Sequence, residues 1–345
     1  MSILRKTPEV ELRKAINLSI SRFGRMRSVE AMETEIEYQR EDLQKLKLPR
    51  LQTCIDDCVI TGSGDSYVAS SIARYMSSYK AICCHPMDIV LNPAIVMNRR
   101  VYLVSTSGST KATILAAKVA KKHALRAIAI TTRPESPLAK SSDDLILIRF
   151  KRASVPTSGT IGFTASMLCC VSLVCNVELN NVNKVYNESL ALVDYLTNYK
   201  IKRSSSHVFL GNGIVYPAAL YGALKMYEVF GVPSSAYSLD EFCHSPIFSI
   251  KNNDRIIILG NNVSEYNLSK MLINELDKIK VLTHYIDCRK RSVIDGLLKS
   301  IFFLQLYAVK LAVKNRLRDC YFLRNERLLA LSSKLIYGSN KKSQF

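Results

Sequence analysis

Alternation of short β-rich runs with helix-patterned stretches is the feature that most restricts this chain. "DDCVITGSG" from residue 56, "AICCH" from 81, "VYLVSTS" from 101, "RAIAITT" from 126 and "LILIRF" from 145 are the runs of the first half. Between several of them lie stretches of helical character, notably "SYVASSIARYMSS", 110–123 and 160–182. Continuously apolar runs are strands buried on both faces. Strands that alternate with helices build a parallel sheet covered on both sides. The expected class is therefore α/β.

The second half repeats the theme. "HVFLGNG" is followed by the helix pattern "YPAALYGALKMYEVF", and "RIIILGN" by "VSEYNLSKMLINELDKI" and the run "KVLTHYID". A last long helix is expected over about Val293–Lys314. The polar stretch "TNYKIKRSSSH", 197–207, marks the boundary. The reading is a helical N-terminal segment over 1–50, one α/β unit over 51–196 and a second over 197–345. The length of 345 residues agrees with two domains.

The formal charge of +19 attracts anions of any size. The basic residues are scattered, no dense Lys/Arg block carries interleaved aromatics, and no nucleic-acid motif is found, so a generally basic surface is expected and no nucleic-acid partner. Ten cysteines include the adjacent pairs Cys83–Cys84 and Cys169–Cys170 inside apolar runs, and Cys54 and Cys58 without a second pair at zinc-site spacing. The start "MSILRKTPEVELRK" has no apolar signal core. Reduced, buried thiols in a cytoplasmic protein follow as the expectation, with no metal and no cofactor. The apolar stretch Ile161–Val177 is shorter than a typical membrane span and reads as a buried helix, so no membrane partner is expected.

Five hydroxyl residues, Ser105, Thr106, Ser107, Ser109 and Thr110, surround Gly108 at a strand-to-helix junction. Open α/β sheets bind ligands beyond the carboxyl ends of their strands. A helix start there presents free N–H groups and a partial positive charge, and one hydroxyl is enough for a cap. The surplus points to an anion, most naturally a phosphate. "GSGDSY", 62–67, is a second tight turn of this kind. It is no dinucleotide fingerprint, because Tyr67 stands where the third glycine belongs, and no P-loop. Glu228 near the end of an apolar helix and His244 in the loop beyond are candidates for proton transfer.

The set "GSGDSY", "STSGSTKAT", "SGTIGFTASML", "YPAALYGALKMYE" and "DEFCHSP" resembles the tandem sugar-isomerase (SIS) domains, over about residues 30–335. The likeness is strongest to the isomerase half of glutamine–fructose-6-phosphate aminotransferase and its stand-alone relatives, which include archaeal glucosamine-6-phosphate deaminases and fructosamine-phosphate deglycases. It implies two flavodoxin-like, three-layer αβα domains with mainly parallel sheets, a sugar-phosphate ligand, and a homodimer that shares its active sites. It implies a phosphate loop at Ser105, Thr106, Ser107 and Thr110, and substrate contacts at Asp65, Ser66 and Ser158. The family's G-T-S turn matches Gly64, Asp65 and Ser66, which places Ser66 at the ligand. Glu228 matches the family's base and His244 its ring-opening histidine, which reaches into a neighbouring subunit's site.

Two departures bear on the reaction. Residue 2 is Ser2 and not the glutaminase nucleophile, so glutamine-dependent synthesis is not expected. The tail "RLLALSSK" puts Leu331 where the family has a lysine, with Lys334 three residues on: either Lys334 substitutes for it or the ring-opening machinery differs. The expected reaction is an isomerase/deaminase step, glucosamine 6-phosphate to fructose 6-phosphate and ammonia. A phosphosugar isomerase or deglycase without deamination is the alternative enzyme, and a non-catalytic sugar-phosphate regulator the alternative of another class.

Overall fold

The computed structural model describes residues 26–49, 58–197, 199–202, 205–290 and 292–338. Cys54 and most of the N-terminal segment lie outside these, as do residues 198, 203 and 204 of the expected boundary. The elements, in order, are α1 (Ser28–Asp42), β1 (Cys58–Gly62), α2 (Asp65–Met76), β2 (Ile82–Cys84), α3 (Pro86–Leu91), β3 (Arg100–Val104), α4 (Lys111–His123), β4 (Arg126–Thr131), β5 (Asp144–Leu147), α5 (Ile161–Ser172) and α6 (Val182–Leu196). They continue with β6 (His207–Gly211), α7 (Tyr216–Phe230), β7 (Ser234–Tyr237), α8 (Leu239–His244), β8 (Arg255–Gly260), α9 (Val263–Lys278), β9 (Leu282–Asp287), α10 (Val293–Lys314) and α11 (Glu326–Tyr337).

The strands form two parallel sheets, in the orders β2-β1-β3-β4-β5 and β7-β6-β8-β9. In the first sheet Ile60, Tyr102, Val104 and Ile130 face one apolar layer with Ala165 and Cys169 of α5. Val59, Val101, Leu103 and Ala129 face the opposite layer with Ile89 of α3 and Ala116, Ala117 and Ala120 of α4. The two-residue period of a strand thus feeds two cores at once. In the second sheet Val208, Leu210, Ile256 and Ile258 pack on α8 and α9. Phe209, Ile257 and Leu259 turn to the other side, toward α7 and α10.

That last layer belongs to the largest apolar cluster, which draws residues from α1, α5, α6, α7 and α10. α10 is long and apolar enough to cross a membrane, but most of it is buried inside the protein, so it is the central core helix. Phe302, Phe303, Leu304 and Tyr307 are buried in it, each contributing on the order of 2 kcal/mol of hydrophobic stabilisation. Gly222 of α7 permits the close packing here, since a Cβ would lie 2.7 Å from Leu304 Cδ2 and 2.9 Å from Phe209 Cδ1.

Two expectations are corrected. The helical stretch 160–182 is two helices: α5 stops at Ser172, and α6 begins at Val182 after a segment carrying Asn176, Asn180 and Asn181, residues that favour turns and helix starts. The tail carries a separate helix, α11, whose leucines Leu328, Leu331 and Leu335 are exposed.

Candidate active site

β1 and β3 are neighbours, with Gly62 opposite Val104, and the chain leaves β1 toward β2 on one side and takes up β3 on the other. This is the point where strand order reverses, the natural ligand crevice of an open sheet. The turn before α2 and the hydroxyl loop before α4 both rise from it. The sequence thus places Asp65 and Ser66 beside Ser105–Thr110 through strand pairing alone.

The hydroxyl loop is a built turn. Gly108 has φ +63°, and a Cβ there would lie 2.2 Å from Ser136 Oγ. Its carbonyl accepts from the Leu138 N–H at 3.0 Å. Ser105 Oγ and Thr110 Oγ1 are 3.2 Å apart, and Thr106 Oγ1 lies 3.5 Å from Ser166 Oγ of α5. The Ser109 N–H donates to Ser107 Oγ at 3.3 Å. Thr110 is the residue before α4, yet its hydroxyl does not cap the helix. The first N–H groups of α4 therefore lack a side-chain cap, as an anion cradle requires. Thr131 and Thr132 at the end of β4 donate to the Thr106 carbonyl at 3.2 and 2.8 Å and buttress the loop.

α7 brings its C-terminal half to the same place. Lys225 is buried, and its Nζ donates to Glu228 Oε2 at 2.6 Å, to Asp65 Oδ2 at 3.0 Å and to the Gly159 carbonyl at 3.3 Å. Three acceptors thus meet the three donors of an ammonium. Ser158 Oγ donates to the same Glu228 oxygen at 2.5 Å. Behind the cage, Tyr221 Oη donates to the Gly159 carbonyl at 2.6 Å, and Gln305 Nε2 of α10 donates to Tyr221 Oη at 3.1 Å. Gln305 Oε1 in turn accepts from Gln39 Nε2 of α1 at 2.6 Å. Tyr221 also stacks on Phe163, with ring centroids 3.8 Å apart.

Burial pushes the Asp65 carboxyl up to about 6, against the pull of the Lys225 charge and with the repulsion of Glu228 added. Burial alone would weaken the Lys225 ammonium, but Asp65 and Glu228 outweigh it and hold the group above the usual lysine range. Lys225 therefore stays charged at neutral pH. Tyr337, at the end of α11, is pushed up by burial and by the charge of Glu228, so the tail helix ends close to the cage.

His244, expected in a loop, ends the short helix α8 and is exposed, and Lys334 is exposed on α11, one turn before Tyr337. No hydrogen bond or ion pair joins either to Glu228 among the described residues. Lys225, Tyr221, Gln305, Thr131 and Thr132 were not singled out from the sequence. The spacing of Lys225 and Glu228, three residues apart on one helix face, was the signal available for the first of them.

A parallel sheet whose reversal point carries this hydroxyl loop matches a known family model. Residues 53–175 match the SIS domain. The chain is 26% identical over 265 residues to glutamine–fructose-6-phosphate aminotransferase (isomerizing) of Clostridium tetani, covering 70% of this chain and 42% of that protein. The chain spans about two fifths of the length of the relatives of this kind that it matches. Its fold is that of glucosamine-6-phosphate deaminase from Thermotoga maritima, with a TM-score of 0.70 at 21% identity, over 84% of this chain and 96% of that one. It is also that of the C-terminal domain of glucosamine–fructose-6-phosphate aminotransferase from Francisella tularensis, with a TM-score of 0.62 at 18% identity, over 83% and 96%. The SIS match covers the first sheet, and the solved structures share the fold across both.

Proposed function

We propose that this chain is an aminosugar-phosphate isomerase/deaminase that converts glucosamine 6-phosphate to fructose 6-phosphate and ammonia without glutamine. The observation that carries the reading is the Lys225–Glu228 pair, tied through Asp65 to the turn after β1, the strand next to the one that ends in the hydroxyl loop. The names of the solved and sequence relatives support the substrate class. Two SIS units, at 51–196 and 197–345 behind a helical segment at 1–50, and a cytoplasmic homodimer belong to the same proposal.

The phosphate sits on the loop of Ser105, Thr106, Ser107 and Thr110 and fixes the distance of the reacting carbons from Glu228. In the open-chain sugar Glu228 takes the proton from C2 and returns it to C1. Lys225 lies beside Glu228, where its charge stabilises the negative oxygen that develops on C1. The C1 oxygen gains the proton that the C2 nitrogen loses, which leaves an imine at C2. Water adds to that imine and ammonia leaves, giving the C2 ketone. Ser158 holds the Glu228 carboxylate in place. His244 acts in ring opening from the partner subunit, which agrees with its exposed position on α8.

The test is ammonia release and fructose 6-phosphate formation from glucosamine 6-phosphate by the purified chain. Turnover that persists unchanged in Glu228→Gln removes the assigned base. Conversion of glucose 6-phosphate with no ammonia from the amino sugar favours the plain isomerase.

A further inference from the structure

We propose that Glu35 of α1 is a positioning residue, which ties together the two ends of the loop that holds Ser158 and Gly159 against the Glu228–Lys225 pair. The inference rests on the sugar-phosphate reading and adds to it a residue that acts through Ser158. Residues 148–160, between β5 and α5, form neither helix nor strand. A functional side chain on irregular backbone needs supporting hydrogen bonds to stay in place. Yet this stretch delivers two contacts to the cage. Ser158 Oγ donates to Glu228 Oε2 at 2.5 Å, and the Gly159 carbonyl accepts from Lys225 Nζ at 3.3 Å.

Glu35 supplies the tether. Its Oε1 accepts from the Ala153 N–H at 3.2 Å, and its Oε2 from the Thr160 hydroxyl at 2.8 Å. One buried carboxylate thus closes the loop over 153–160, with Ser158 inside it. Burial pushes the Glu35 carboxyl up, and the bonds from Thr160 and Ala153 pull the other way, so both partners favour its charged, acceptor-only form. α1 adds two more tethers. Asp42 Oδ2 accepts from the Lys151 N–H at 2.8 Å, and the Ser28 carbonyl accepts from the Thr157 hydroxyl at 2.7 Å. Ser28, Glu35 and Asp42 recur at every seventh position, about two helical turns, so they form one stripe along α1. The helix lies along the loop as a splint, and Glu35 is the contact that grips both sides of Ser158.

Steady-state kinetics of the full chain on glucosamine 6-phosphate, or on glucose 6-phosphate if only that is converted, test the assignment. Glu35→Ala should lower kcat about 10-fold or more, since a misplacement of about 1 Å is enough for such a loss. KM, and thermal stabilisation by inorganic phosphate, should stay within about two-fold of the wild type, because Thr131 and Thr132 hold the hydroxyl loop independently. Glu35→Gln should bring kcat back to within about three-fold, as an amide accepts from Ala153 and donates to Thr160. Ser158→Ala should lower kcat as well, and the double variant Glu35→Ala/Ser158→Ala should lose less than the product of the two losses. A merely structural role would lower the urea midpoint and leave kcat per folded molecule unchanged. That result, losses that multiply, or no rescue by the amide overturns the assignment and leaves the sugar-phosphate reading standing. Should Glu35→Ala not fold, Thr160→Val removes one tether and carries the same comparison with Ser158→Ala. If the wild-type chain converts neither sugar phosphate, that reading falls and the assignment with it.

Discussion

Lys225 and Glu228 lie on one face of α7, joined by an ammonium–carboxylate contact of 2.6 Å, and the lysine is buried while the glutamate is partly open to the crevice. The pair therefore has one anchored member and one that can meet a ligand. Asp65, from the other half of the chain, accepts a second hydrogen bond from the same ammonium. The site is assembled from both sheets, and its charge balance depends on a single lysine.

Replacing that lysine is expected to be severe. In Lys225→Met, two neighbouring carboxylates lose their shared counter-charge. Breaking such a pair from one side costs about 3 kcal/mol or more, read from urea unfolding. The same variant should lose at least about 100-fold in turnover. A folded Lys225→Met with near wild-type stability and rate would show the cage to be incidental.

The hydroxyl loop gives a separate expectation. Gly108 needs its left-handed backbone, and any side chain there runs into Ser136. Gly108→Ala should displace the loop and raise KM for the sugar phosphate by about 10-fold or more, with kcat changed less. Thermal stabilisation by inorganic phosphate should shrink in parallel. Retention of full phosphate protection in this variant would place the anion somewhere else.

His207 predicts an acid-sensitive second sheet. It opens β6, is buried, and lies 3.1 Å from Tyr199 Oη, which also meets Tyr307 Oη. Arg255 of β8 stacks over the Tyr199 ring, and His284 of β9 is also buried enough to be held below the usual histidine range. Burial, helped by the Arg255 charge, lowers His207 to about 3. Between pH 6.5 and 3 the unfolded chain takes up a proton that the folded chain refuses. Stability from this group is therefore complete above pH 6.5 and lost as the pH falls, by up to about 1.4 kcal/mol per pH unit. Urea midpoints at pH 7.5 and 5 should move closer together in His207→Gln than in the wild-type chain. Equal spacing in both would assign the acid sensitivity to other groups.

β7, Ser-Ser-Ala-Tyr at the edge of the second sheet, carries no apolar run and was not legible, whereas most strands of the parallel sheets were, because they are short apolar runs such as "RIIILG". α10 was legible for the same reason, at Val293–Lys314. The hydroxyl loop was legible because local spacing alone puts its groups around Gly108. The cage was not. Lys225 reads as one more cation on a helix, and only tertiary packing shows that it is buried with Asp65, 160 residues away. Gln305 and Gln39 meet from helices 266 residues apart, a pairing that no local pattern encodes. The tail helix was missed although Leu328, Leu331 and Leu335 stand at helical spacing, and these leucines are exposed in the fold.

Subunit mixing tests the place of His244 in the reaction. Glu228 sits in the cage, while His244 is exposed on α8 and has no bond to Glu228 among the described residues. If both act in one reaction, a homodimer whose sites each take His244 from the partner reconciles the two positions. Glu228→Gln and His244→Ala should then each be inactive alone. Mixed at equal amounts and allowed to exchange, half of the dimers pair one of each variant. In such a dimer one site lacks both groups and the other has both intact, so about a quarter of the sites recover. Recovery should follow the rate of subunit exchange and vanish if the subunits are cross-linked before mixing. Activity that stays at the level of the separate variants would mean that His244 serves its own chain's site or none.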